Sequence, residues 1–227
     1  MTVGFDKLKV NRLLDLSLPM REGSGLVTYD VSKNRYPLTF FGTPTWEVIA
    51  SGLTVIEFVS IAPWIPEYLR AAAPALNYTT EDFSMAVWID PDGYGTILCR
   101  GEPNGSIDGW ELELDSSHRI GLNMFNAGGI SRASSDTGYA YNTWQLVGVS
   151  RSGITTHIYR NGEDVTFDSL MADCSTSARN LYVGIWEGGI QYPYKGRMWN
   201  PRTMGNVALT PEDHKLIFEM ERRWFGV

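Results

Sequence analysis

The densest chemistry in this 227-residue chain lies in Glu111-Leu112-Glu113-Leu114-Asp115. Side chains alternate between the two faces of an extended strand, so spacing i, i+2, i+4 sets three carboxylates on one face, while Trp110, Leu112 and Leu114 point the other way. Crowded like charges raise the pKa of at least one carboxyl, as a general acid requires. The plain alternative is a strand whose outer face is solvated.

Two loops carry a different chemistry. Tyr139, Tyr141 and Asn142 occupy one, and Trp186, Glu187, Gln191, Tyr192 and Tyr194 occupy the other. Exposed aromatic faces beside hydrogen-bonding groups suit sugar stacking, and they also suit protein interfaces, where Tyr and Trp bring large contact area at low entropic cost. The same rings equally serve to cover the open end of a sandwich, and Trp186, which ends an apolar run, is the strongest candidate for core. Asp90, Asp92, Glu102 and Asp108 are loop carboxylates that would hold a calcium ion if they converged, although Asp90 and Asp92 flank a proline before a glycine and are also explained as turn formers. His118, His157 and His214 form no zinc or triad spacing, and no Gly-rich loop links a strand to a helix as nucleotide binding requires. No cofactor is therefore expected, with calcium left open.

The elements that must position these residues are strands. Asn142 to Glu163 contains two apolar runs broken at Ser152-Gly153, and Asn161-Gly162 supplies the positive-φ pair of a tight turn, so a meander is expected with Glu163 to Phe167 returning as its third strand. Phe83 to Ile89 is apolar on both faces, as a central strand buried on both sides would be. The segment from Pro63 to Leu76 breaks the rhythm. Its Glu67 to Ala73 portion suggests helical turns, an excursion from the sheet. Near the C-terminus Thr210-Pro211, with Glu212 and Asp213, makes a helix start, and Leu216, Ile217, Met220 and Trp224 would share the docking face.

Composition narrows the partners. Apolar residues make up 43% and aromatics 12%, enough to fill the space between two packed sheets. The net charge is −7 and no basic stripe exists, so nucleic acid is not an expected partner. No run approaches the roughly 20 apolar residues of a membrane span, so no membrane insertion is expected. The N-terminus carries charges from Asp6 to Asp15 and lacks a signal-peptide apolar core, which implies synthesis in the cytoplasm, with a virion or the extracellular space as a final location. Cys99 and Cys174 are compatible with one disulfide or with two buried thiols.

Five stretches carry a resemblance: LSLPMREGSG, EDFSMAVWI with TILCRG, GWELELDSSHRIGLNMF, NTWQLVGVSRSG with HIYRNGE, and YKGRMWNPRTMGNVALTPEDHKLIFEM. With Trp88, Gly109, Trp144, Tyr159, Asn161, Gly162 and Gly196 as anchors, the chain resembles the concanavalin A-like lectin and glucanase superfamily, in particular its laminin-G-like branch. The resemblance implies an all-β, antiparallel two-sheet jelly-roll sandwich with a short C-terminal helix, spanning 13–227 as one domain after an N-terminal arm, 1–12, and carrying 63–76 as an insert. It is consistent with a non-enzymatic, lectin-like module recognising glycan or protein; the missing signal peptide, taken with the fold analogy, suggests the surface of a virus or phage particle, as a decoration, tail or adhesion component, with homo-oligomer or capsid and tail assembly as further partners. It also offers an alternative, a glycoside hydrolase using Glu111, Glu113 and Asp115, since the glucanase branch presents alternating acids on one strand. That branch has Glu, Asp, Glu where this chain has Glu, Glu, Asp.

Overall fold

The computed structural model describes residues 13–59, 66–102, 107–136, 138–186 and 191–227. The arm 1–12, the first part of the 63–76 insert and Glu187 lie outside them. The strands are β1 (Leu14–Ser17), β2 (Val27–Tyr29), β3 (Pro37–Phe41), β4 (Thr45–Val48), β5 (Thr54–Phe58), β6 (Tyr68–Ala71), β7 (Phe83–Pro91), β8 (Gly95–Glu102), β9 (Asp108–Leu114), β10 (Ile120–Asn126), β11 (Gly129–Ser135), β12 (Gln145–Ser152), β13 (Thr155–Arg160), β14 (Glu163–Asp164), β15 (Thr166–Asp168), β16 (Leu181–Val183) and β17 (Gly196–Gly205), followed by helix α1 (Pro211–Glu221).

They form two antiparallel sheets, the jelly-roll sandwich expected. One sheet runs β14-β13-β12-β7-β17-β5-β4, with β1 also pairing β17; the other runs β15-β11-β10-β9-β8-β16-β6-β3-β2. Trp110, Leu112 and Leu114 of β9 enter the main core. β7 is central and buried along its whole length; outside the sandwich Trp88 meets Glu221 of α1, and Ser84 meets Val207 and Leu209 of the segment before it.

The helix begins at a capping box in which Thr210 accepts from the Asp213 amide and Asp213 accepts from the Thr210 amide. Its inward face differs from expectation. Ile217 is buried as foreseen, but Leu216 and Met220 are exposed, and His214 and Glu221 are buried instead. Polar pairs dock the helix: Glu221 accepts two bonds from Arg202, at 2.8 and 2.9 Å, and one from the Trp88 indole at 2.7 Å. His214 lies 2.8 Å from the Ser150 hydroxyl and stacks on Tyr159, and burial pushes its pKa down to about 3.

Two further expectations are corrected. Glu67 to Ala73 is not helical: β6 pairs with β3 and β16 inside the second sheet, with Leu69 and Ala71 buried. Seven residues between two prolines would make only a marginal helix, whereas a strand gains a ladder on each side. The third strand of the meander is also divided. Asn161 and Gly162 take φ of 53° and 79° and return the chain as β14, but after Val165 it crosses to the other sheet as β15, beside β11. The Asp164 carboxylate bonds the Thr166 amide at 2.9 Å and turns the chain there. Both cysteines are buried thiols and are not joined in a disulfide.

Candidate functional site

The outer face of the second sheet carries the site. Glu111 stands opposite Asn123 across β9–β10, and Asn123 stands opposite Arg132 across β10–β11, while Cys99 of β8 flanks Glu111 on the other side. Cross-strand neighbours share a face, so these side chains form one row. Trp110, Leu112 and Leu114 point away from it into the core.

Glu111 is not solvated. It is 6% exposed, accepting from the Thr96 hydroxyl and, at 3.2 Å, from the Asn123 amide. Burial, with the adjacent Glu113 charge adding to it, pushes its pKa up to about 7. Glu113 accepts from the same Asn123 amide at 2.9 Å and pairs with Arg132. Asp115 lies beyond the end of β9. One of its oxygens caps the turn, accepting from the Ser117 and Arg119 amides at 2.8 and 2.9 Å, and the other accepts from Arg132 at 2.7 Å. The three-carboxylate ladder of the sequence is therefore divided: one buried acid, one shared acid and one turn former. Gly121 makes the sharing feasible, since a Cβ there would come within 2.5 Å of the Arg132 guanidinium.

Thr96 joins this acidic strand to one of the aromatic loops. Its hydroxyl donates to Glu111 and its amide donates to the Tyr192 carbonyl at 2.9 Å, which holds Tyr192 beside the row. The result is an open cleft of about 460 Å³ lined by Glu111, Glu113, Asn123, Phe125, Ile130, Arg132, Trp186, Gln191 and Tyr192. Tyr192 is 53% exposed and meets Trp186 edge-on, 5.7 Å between ring centres. Trp186 is buried, as foreseen, but in a small outer-face cluster with Cys99, Tyr182 and Ile185 rather than in the main core. Two polar atoms of the lining are buried without partners: the Asn123 side-chain carbonyl oxygen and the Trp186 indole nitrogen.

The remaining candidates fall elsewhere. Tyr194 is fully buried, donates to the Arg197 carbonyl and packs edge-on against Phe58, so it is core and presents no ring for stacking. Tyr139 and Tyr141 sit at the Asp115 turn and Asn142 donates its amide to the Pro91 carbonyl, all outside the cleft lining. Tyr139 is buried, stacks on His118 and donates to the Asp115 carbonyl; Tyr141 closes on both rings; Asn142 is exposed at φ 52°. The four calcium candidates do not converge. Asp90 is held by Arg197 and Asp92 by Lys195, near the start of β8, while Glu102 and Asp108 pair at its other end, roughly 23 Å away at about 3.3 Å per residue. Among the described residues no group of three His, Cys, Asp or Glu is placed to hold a metal.

Thr96, Gly121, Asn123 and Arg132 were not singled out from the sequence. The hairpin turns at Ser116-His118 and Ala127-Gly128 contain the information, because once the register is set they bring Asn123 and Arg132 beside Glu111.

The chain belongs to the concanavalin A-like lectin/glucanases superfamily: a laminin-G family model so described matches residues 67–213. No curated protein sequence matches it. Among solved structures, the binding domain of Paraclostridial Mosquitocidal Protein 1 is similar at a TM-score of 0.75 and 14% identity, over 96% of this chain and 56% of that one. Botulinum neurotoxin type C, described as dependent on interaction with two ganglioside molecules, is similar at 0.70 and 16%, over 93% and 52%. The binding domain of botulinum neurotoxin DC, in complex with SialylT, is similar at 0.69 and 14%, over 93% and 52%. The chain thus spans about half the length of these proteins, and likeness at such identity shows the fold alone.

Proposed function

We propose that this chain is a non-enzymatic recognition module that binds a glycan or a protein partner, with the outer-face cleft as its contact site. The observation that carries the reading is the convergence of Trp186, Tyr192 and Gln191 from one loop with the planar polar groups of Asn123, Glu111 and Arg132 in a single open cleft. Aromatic faces beside planar hydrogen-bonding groups suit a sugar ring, which presents an apolar face and a rim of hydroxyls. The proteins of similar fold support the class of function, being described with gangliosides, SialylT and, for botulinum neurotoxin DC, rat synaptotagmin II. A glycan array with the purified chain, repeated with Tyr192→Ala, tests the proposal. Glycan binding that is lost in the variant supports it; identical profiles would remove the cleft from it.

The same proposal places the module on the exterior of a virus or phage particle or elsewhere outside the cell, a setting in which jelly rolls recur. Labelling of intact particles or culture medium with an antibody to the chain tests that placement, and signal confined to the cytoplasm would oppose it.

One observation favours a second reading, a glycoside hydrolase: Glu111, raised to about 7, has the character of a general acid. Its partner carboxylate is less well provided, because Asp115 is engaged by two amides and Arg132. Release of reducing sugar from β-glucans by the parent and not by Glu111→Gln would establish catalysis, and no release by the parent would end it.

A further inference from the structure

We infer that the cleft takes an uncharged, hydroxyl-bearing sugar ring and discriminates against sialylated or otherwise anionic glycans; this rests on the recognition reading above. Two side chains of the lining carry unmet hydrogen-bonding demands of opposite kind, both on buried atoms. The Asn123 side-chain carbonyl oxygen, on a residue 5% exposed, lacks a donor, and the indole N–H of Trp186, on a residue 7% exposed, lacks an acceptor. A buried polar atom left unpaired costs free energy, so a ligand that satisfies both gains twice over one that satisfies neither.

The chemistry of that ligand follows from elimination. A carboxylate or sulfate accepts from Trp186 but has nothing to donate to Asn123. An ammonium donates to Asn123 but cannot accept from Trp186. A hydroxyl does both, and neighbouring hydroxyls on a ring divide the two tasks; anionic glycans carry hydroxyls as well, so the discrimination against them rests on charge. Electrostatics agrees with the inventory. Among the described residues of the lining, Arg132 is the one cation, and it is already shared by Glu113 and Asp115, with Glu111 buried alongside. An incoming anion therefore meets carboxylates whose countercharge is taken, and like-charge juxtaposition of that kind works against binding. Tyr192, half exposed at the cleft wall, supplies the flat apolar surface for the ring.

The test is a calorimetric titration with neutral oligosaccharides of gluco, galacto and manno configuration, including N-acetyllactosamine, each beside a sialylated or uronic-acid counterpart. The parent, Trp186→Phe and Tyr192→Ala are compared, with thermal melting to confirm that each is folded. Trp186→Phe retains an aromatic ring and removes the N–H, so it should weaken a neutral glycan about tenfold. At least one neutral glycan should bind, and its anionic counterpart should bind at least tenfold more weakly. Equal or tighter binding of the anionic forms overturns the inference while leaving glycan recognition intact. Loss of affinity in Tyr192→Ala but none in Trp186→Phe overturns the hydrogen-bond assignment. No binding to any member at millimolar concentration overturns the recognition reading itself.

Discussion

Asn123 and Glu111 face each other across the β9–β10 pair, 3.2 Å from amide nitrogen to carboxylate oxygen, and the same nitrogen lies 2.9 Å from Glu113. One neutral amide thus bridges two acids, and the guanidinium of Arg132 reaches Glu113 and Asp115 rather than bonding Glu111. Glu111 is left buried beside a like charge, the arrangement that keeps a proton on a carboxyl.

The pH dependence of stability follows. The folded pKa of Glu111 is raised from 4.5 to about 7, so the folded state holds the extra proton between those values. Its contribution is fully present below pH 4.5 and is lost as pH rises through 7. Melting temperatures from pH 4 to 8 should therefore decline more steeply toward neutrality in the parent than in Glu111→Gln. Parallel curves would show that Glu111 titrates normally.

His214 acts with the opposite sign. Its pKa is lowered from 6.5 to about 3 by burial, so the unfolded chain takes up the proton first as pH falls. Its contribution is present above pH 6.5 and is lost progressively toward pH 3. The acid-side slope of melting temperature against pH should be shallower in His214→Gln, whatever that variant does to the melting temperature itself.

Much of this was legible in the sequence and part of it was not, for physical reasons that the residues show. The alternation of Trp110, Leu112 and Leu114, the Asn161-Gly162 turn and the Thr210 cap are local, and local rules decide them. The strand at Tyr68–Ala71 is not local. The alanine run that begins at its end, Ala71 to Ala73, favours a helix, and β3 and β16, distant in sequence, decide otherwise. The acidic strand was half legible: its face could be read, but the burial of Glu111 and the engagement of Asp115 depend on Thr96, Asn123 and Arg132, which come from three other strands.

Gly121→Ala should displace the end of the Arg132 side chain while leaving the backbone in place, because the new Cβ would meet the guanidinium and not a main-chain atom. Arg132 pairs near the surface, so the loss should amount to about 1 kcal/mol or less. Arg132 lowers the Glu111 pKa, and moving it away should raise that pKa further. Carboxyl-carbon NMR titration of Glu111 would register the rise, and an unchanged midpoint would show that the guanidinium does not act on it.

Addition of calcium, followed by chelator, should leave the melting temperature where it is, since the four candidate carboxylates are divided between opposite ends of β8 and two of them are held by Arg197 and Lys195. A calcium-dependent rise would assign the ion to a ligand set other than these four together.

The C-terminal helix should be held by one residue more than by its apolar face. Glu221 is buried, receives both arms of Arg202 and the Trp88 indole, and sits against the central strand β7. Removing one partner of a buried pair leaves the other charge without compensation, at about 3 to 5 kcal/mol. For a chain of this length Glu221→Ala should lower the melting temperature on the order of 10 °C. Glu219 offers the internal control: it is exposed and lies 3.4 Å from Arg222 one turn on, a geometry in which ion pairs contribute about 0.5 kcal/mol. Glu219→Ala should therefore melt close to the parent. If the two variants melted alike, helix docking would have to be assigned to Ile217 and the aromatic contacts of Trp88 with Phe218 and Phe225, and the buried ion pair would contribute little beyond them.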